Sequence, residues 1–285
     1  MPIKTRPIRG PSPPFPDTAV IRTDRHLPYG VIARVEPTQT HAELIDAVTP
    51  ARVMVRIDHA RRLARKNQTA ATAYPEGTTV ITTTTIPDEK LATITREHEL
   101  EILRQFEPDY HIPADHPTYR EQSEEDRRTQ IARYCSGTRW IRNRLERNPD
   151  SFDTSPPGLL PLIKGTTPSE RELTHELAVE LQPPIAFYYA VQYFTGGNRI
   201  AALVDDLKEI HSHSPPTIPV GLIGLLHPDY LDRCPNSVAA ASGLNGWRSG
   251  LSVTDPNTKL RQQYQHATAR AQQCLTGSPK QTNRR

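Results

Sequence analysis

Leu159-Leu-Pro-Leu-Ile-Lys164-Gly165-Thr166-Thr167-Pro168 runs an apolar stretch straight into a helix start. A short continuous apolar run bounded by turn residues reads as a strand buried on both faces. Thr167 is placed to cap the helix that follows. Pro168 occupies its first position, and Glu170 sits where a side chain reaches back to the cap. A buried strand followed by a capped helix, with no hairpin between, is a βα unit and calls for a parallel sheet.

The same unit recurs along the chain. Eight strands are predicted: Tyr29–Val35, Arg52–Ile57, Thr79–Thr85, Pro108–Ala114, Gly158–Lys164, Ile185–Val191, Ile218–Gly224 and Ser237–Ser242. Helices are predicted over Pro87–Phe106, Glu121–Arg147, Pro168–Leu181, Asn198–His211 and Pro256–Cys274, with a short one over Pro228–Arg233. In the second of these, Ile131, Tyr134, Thr138, Ile141 and Leu145 recur at spacings of three and four and make one buried face. Eight strands alternating with helices suggest a (β/α)8 barrel. An open doubly wound sheet is the alternative, but the G-x-G-x-x-G turn that usually marks one does not occur.

The length of 285 residues suits one such barrel. We divide the chain into a proline-rich N-terminal arm (1–28), the barrel (29–275) and a basic tail (276–285). Cys135, Cys234 and Cys274 lie far apart with no metal-ligand spacing, which points to a reduced, cytoplasmic protein. The basic N-terminus lacks the apolar core of a signal peptide. No run approaches the roughly 20 apolar residues of a membrane helix. The net charge of +3 is too small to argue for nucleic acid by itself. The seven arginines between Arg127 and Arg147 are more suggestive. Arg127, Arg128 and Arg139 are candidate phosphate contacts, against the alternative of a solvated helix face.

A barrel places its chemistry at the C-terminal ends of its strands. That rule selects Asp58 and His59, Thr82 to Thr85, His111, Asp115 and His116, Lys164, Gln192 and Tyr193, His227 and Asn245. The richest end is His111-Ile-Pro-Ala-Asp115-His116, two histidines and a carboxylate between prolines. Asp115 is suited to accept two hydrogen bonds from an amidine-like edge, to act as a base, or to hold the loop by an Asx-turn. Lys164, at a strand end beside a helix N-terminus, is either an anion site or a lysine reaching for solvent. Gln192 and Tyr193 are suited to reading a flat heterocycle, or to core packing. A metal site on His111, Asp115 and His116 lacks a third well-spaced ligand.

In this order the motifs resemble the tRNA-guanine transglycosylase superfamily over roughly residues 80–250. Pro113-Ala-Asp115-His-Pro-Thr-Tyr119 and the long helix after it are similar to the family's base-recognising Asp loop. Ile163-Lys164-Gly165-Thr166 falls on a Val-Gln-Gly-Gly turn, and Gln192-Tyr193 falls near a Gly-Gly strand end. Ile223-Gly-Leu-Leu-His-Pro-Asp-Tyr-Leu231 looks like the Met-Gly-Val-Gly-x-Pro-Glu-Asp-Leu stretch. The departures are as telling. Thr82-Thr-Thr-Thr-Ile-Pro87 replaces the turn that supplies a catalytic acid. No acid occurs from Arg233 to Thr254, where the nucleophile belongs, and the zinc-binding cysteines are missing.

The resemblance implies a transglycosylase-type barrel without its zinc subdomain, close to divergent viral and haloarchaeal proteins of 7-deazaguanine DNA modification. It implies a ligand that is a 7-deazaguanine base or nucleotide, DNA or tRNA as the larger substrate, and no cofactor. Asp115, Gly165, Gln192 and Tyr193 would bind the base. Lys164 would pair with a 7-carboxylate, and His111 or His116 would protonate the ring carbon as the carboxylate leaves. Two other functions stay open: a non-catalytic subunit that binds nucleic acid or a transglycosylase paralogue, and an active transglycosylase with a relocated nucleophile such as Asp58. An unrelated metabolic barrel enzyme is a further possibility.

Overall fold

A computed structural model describes residues 27–212, 218–243, 248, 251–252 and 254–276. Most of the expected arm, the basic tail beyond residue 276 and Asn245 lie outside the described residues.

The described chain is α/β. In order it forms β1 (Gly30–Val35), α1 (Gln39–Val48), β2 (Arg52–Arg56), α2 (Ile57–Ala64), α3 (Ala70–Ala73), β3 (Thr79–Thr83), α4 (Asp88–Leu91) and α5 (Arg96–Phe106). Then come β4 (Tyr110–Ile112), α6 (Glu124–Arg147), β5 (Gly158–Leu159), β6 (Leu162–Ile163), α7 (Pro168–Leu181) and β7 (Ala186–Tyr189). The last are α8 (Ile200–Ser212), β8 (Val220–Ile223), α9 (Pro228–Leu231), β9 (Val238–Gly243) and α10 (Asn257–Thr276). The nine strands form one parallel sheet in the order β5-β4-β3-β2-β1-β9-β8-β7-β6. The sheet curls, because its two edge strands are successive pieces of one stretch of chain. The architecture is TIM-like.

The stretch from Leu159 to Pro168 behaves as predicted at its helical end and differently at its strand end. The Thr167 side chain accepts from the Glu170 amide, and Glu170 reaches back to the Thr167 amide. The strand is broken in two at Leu160-Pro161. Leu160 still donates to His111 of β4 at 2.8 Å, and the Pro161 carbonyl accepts from Phe187 of β7 at 2.8 Å. Proline has no amide hydrogen to continue a ladder. The next amide, Leu162, donates instead to the Tyr134 hydroxyl of α6 at 2.5 Å.

Three differences from the sequence reading concern helices. The helix expected over Pro87–Phe106 is interrupted at Thr93 to Thr95, where Thr95 caps a fresh start by accepting from the His98 amide. Helices α1 and α2 lie in connections that the periodicity left unassigned. The first is capped by Thr38 and buries Leu44, Ile45 and Val48. The second is arginine-rich and buries only Ile57, Asp58, Ala60 and Ala64, so its apolar stripe is short.

Period-two alternation sorts the strand side chains onto two faces. Ile32, Met54, Ile81, Tyr110, Leu160, Leu162, Phe187, Ile223 and Ala240 fill the inside of the curl. Val31, Ala33, Val53, Val55, Val80, Tyr188 and Leu222 pack outward with helix residues such as Ile45, Leu103, Phe106 and Leu207. All strands are parallel, so their C-terminal ends share one rim. None of the described helices is long and apolar enough to cross a membrane.

Candidate functional site

Lys164 follows β6 in the inward row that begins with Leu160 and Leu162. It is only 8% exposed, yet it carries an ammonium. An isolated charge at that depth is costly, so it needs partners. Its Nζ donates to Asp115 Oδ1 and to the His116 carbonyl, and lies 5.2 Å from the centre of the Tyr134 ring. The backbone is clamped as well: the Lys164 amide donates to Thr174 Oγ1 at 2.9 Å, and the Thr174 hydroxyl lies 3.1 Å from the Lys164 carbonyl. The following Gly165 has φ +130°, and a Cβ there would stand 2.5 Å from Glu170 Cβ. Glycine lets the strand end lie flat against α7.

Around this pair the rim is charged. Arg56, the last residue of β2, holds Asp58 by two hydrogen bonds of 2.9 and 2.5 Å. Lys90 of α4 adds a third at 3.2 Å, and Glu36 lies 3.6 Å from Arg56. Burial works to raise the Asp58 pKa, but the hydrogen bonds and charges of Arg56 and Lys90 outweigh it and bring it down to about 2. Tyr189 at the end of β7 is half-buried; its pKa is raised chiefly by burial, with Arg34 opposing and Asp115 adding. His116 is held below the usual imidazole range by burial first, then by Lys164, with Arg96 and Arg133 adding and Asp115 opposing. Tyr119 donates to Asp88 of α4, which ties the Asp115 loop to the Lys90 side of the rim.

The predicted site residues therefore separate. Asp115, His116 and Lys164 come together, and Gly165 shapes the strand end beside them. His111 does not join them. Its ring faces the opposite side of the sheet, fully buried, with Nδ1 2.9 Å from Thr82 Oγ1 and Nε2 2.9 Å from Glu99 of α5. The alternation of strand side chains turns His111 outward while Tyr110 and Ile112 point in. Thr84 also donates to Glu99, so the group forms a closed polar knot behind β3 and β4.

Tyr193 is likewise turned away. Its hydroxyl lies 2.6 Å from that of Tyr188 and donates to Asp206, in a buried cluster with Arg171. Gln192 stands exposed in the 3-10 turn beside it, and its carbonyl accepts from Arg199 at 2.5 Å. On α6, Arg127 pairs with Glu170 at 2.9 Å, Arg128 with Glu124 at 2.9 Å and Arg139 with Glu180 at 2.7 Å. Arg142 also pairs with Glu146, and Arg144 lies over Trp140. Much of the arginine array is neutralised within the chain.

Sequence reasoning missed Arg34, Glu36, Arg56 and Tyr189. Their signal was available: each is a polar group at the end of an otherwise apolar strand, in phase with its inward residues. The three cysteines are free thiols, and among the described residues no group of three or more histidines, cysteines and acids is disposed to hold a metal ion. No protein-family model matches the chain, and no curated protein sequence matches it.

Proposed function

We propose that the chain is a closed (β/α)8 barrel of transglycosylase type, with β5 and β6 as one broken strand, that binds a 7-deazaguanine base without exchanging it. The observation that carries the reading is the Asp115–Lys164 pair at the rim. A guanine-like edge presents two donors, N1–H and the 2-amino group, next to one acceptor, O6. A carboxylate beside an ammonium is the complement of that edge. Asp115 would accept from the donors while Lys164 turns to O6. The 7-substituent flanks O6, so the same ammonium is within reach of a 7-carboxylate.

This sharpens the role that the resemblance implies for Lys164. Its contact with Asp115 supports a reading in which both groups meet one edge of the base rather than opposite sides. His111 drops out as a proton source, and Tyr193 drops out as a base contact. For loss of a 7-carboxylate, the carbon–carbon bond electrons stay on the ring carbon as carbon dioxide departs, and His116 delivers the proton that ring carbon needs. Because its pKa is lowered, His116 carries that proton only on the acid side of neutrality, and the step is expected to be faster there.

Two alternatives lose support. Asp58 has both oxygens engaged by Arg56 and one also by Lys90, which makes it a poor nucleophile for base exchange. The paired arginines of α6 weaken the case for a nucleic-acid-binding subunit. DNA and a transglycosylase paralogue remain proposed partners through the base reading alone.

Calorimetric titration with 7-carboxy-, 7-cyano- and 7-aminomethyl-7-deazaguanine tests the proposal. Binding is expected, strongest for the carboxylate, and lost in Asp115→Asn. Absence of binding by all three rejects the base reading. Binding of the carboxylate without release of carbon dioxide rejects only the decarboxylation step.

A further inference from the structure

Next to the rim, with His116 in its wall, the surface holds a shallow cavity of about 260 Å³. One wall is the ring of Tyr119, which is 50% exposed. The residue is nonetheless held at its hydroxyl and at its backbone. Its hydroxyl donates to the two oxygens of Asp88 at 3.1 and 3.0 Å, and its amide donates to Gln122 Oε1 at 2.7 Å. An exposed aromatic already held in place loses little freedom when a ligand covers it.

Polar groups with unused capacity converge on the same space. Asp88 keeps acceptor capacity beyond its bond to Tyr119, and Gln122 keeps its amide nitrogen as a donor. Among the described residues, the side chains of Gln130 and His116 make no hydrogen bond. These groups come from α4, from the β4–α6 loop and from α6. The lining includes a carboxylate and no lysine or arginine, which disfavours an anion.

We propose that this cavity is a binding subsite for a polyhydroxylated sugar ring, its apolar face on Tyr119 and its hydroxyls on Asp88, Gln122, Gln130 and His116. Each hydroxyl both donates and accepts, which matches a carboxylate, two amides and an imidazole. A flat heterocycle would also stack on Tyr119. It concentrates its polar atoms on its edges, however, whereas the groups here are spread over three elements around the ring. The low His116 pKa keeps the imidazole neutral, and so able both to donate and to accept, at physiological pH. The subsite shares His116 with the base reading but neither Asp115 nor Lys164, so glycoside binding can be tested apart from base binding.

Saturation-transfer NMR on the whole protein, with methyl β-glucopyranoside and methyl β-ribofuranoside as probes, tests this. Ring C–H protons of at least one probe are expected to receive saturation, with a Kd on the order of millimolar. Tyr119→Ala should weaken binding at least about tenfold, Gln130→Ala should weaken it less, and Tyr119→Phe should retain most of it. The half-exposed position of Tyr119 makes a folded Ala variant practicable, and circular dichroism verifies it. Adenosine and free adenine form a further arm. No transfer to either glycoside, transfer that survives Tyr119→Ala, or Tyr119-dependent binding of adenine without the glycosides would each overturn the proposal. The last would make the cavity a stacking site for bases.

Discussion

Tyr134 supports Lys164 in two ways at once: its ring faces the ammonium at 5.2 Å, and its hydroxyl accepts the amide of Leu162, two residues upstream. The second contact satisfies the Leu162 amide on the side where the pairing with β4 has ended. The helix α6 thus sets the direction in which the broken strand delivers its lysine. In Tyr134→Phe the ring remains and the Leu162 amide is left buried without an acceptor, a loss of about 1–3 kcal/mol. In Tyr134→Leu both contacts go. Urea denaturation should show both variants destabilised. Acylation of Lys164, followed by mass spectrometry of the folded protein, should accelerate clearly only in the Leu variant. Equal acceleration in both would assign the support to the hydrogen bond instead.

The knot of His111, Thr82, Thr84 and Glu99 is a stability element. His111→Ala removes the histidine from a fully buried carboxylate and opens a cavity, at a cost of about 3–5 kcal/mol. Thermal unfolding should move down accordingly, while the base binding proposed above, measured well below the transition, should stay at the wild-type level. A His111→Ala protein of normal stability that no longer binds would return His111 to the site.

Acid should act on the rim through Asp58. Its folded pKa of about 2 lies below the unfolded value of 3.8, so the unfolded chain binds the proton more readily. The stabilisation is complete above about pH 5 and is lost as pH falls towards 2. Its size is on the order of 2 kcal/mol. Urea midpoints measured between pH 5 and 2 should fall more steeply for wild type than for Asp58→Asn. Parallel curves would show that Arg56 and Lys90 do not hold the carboxylate as described.

Gly165→Ala should be poorly tolerated. At φ +130° the added methyl meets Glu170 Cβ at 2.5 Å and the Arg171 amide at 2.9 Å, in the turn that presents Lys164. We expect a loss of about 2–3 kcal/mol and a weakened rim, read as lower urea stability and faster Lys164 acylation. Gly77→Ala provides the comparison: its φ is also positive, at +79°, but no atom lies within 4 Å of the added group, so its cost should be smaller.

Much of the fold was legible because its causes are local. Apolar runs of five or six residues, the Thr167–Glu170 cap and the apolar stripe of α6 each follow from residues close in the chain. The short helices α1 to α3 escaped notice because their apolar stripes span only a few residues. The break at Pro161 was visible as a proline, but its consequence was not. It depended on Tyr134, 28 residues from Leu162, accepting the Leu162 amide.

The sequence by itself determined that strands and helices alternate, that the strand ends carry the polar groups, and that Asp115, His116 and Lys164 stand at two of those ends. Only the tertiary structure decided which of the polar groups meet. Asp115 and Lys164 are 49 residues apart and touch because β4 and the stretch Gly158–Ile163 are neighbours in the sheet. His111, four residues from Asp115, is excluded because a strand sends successive side chains to opposite faces. Its polarity marked it as a candidate, but the register of a three-residue strand turned it into the core.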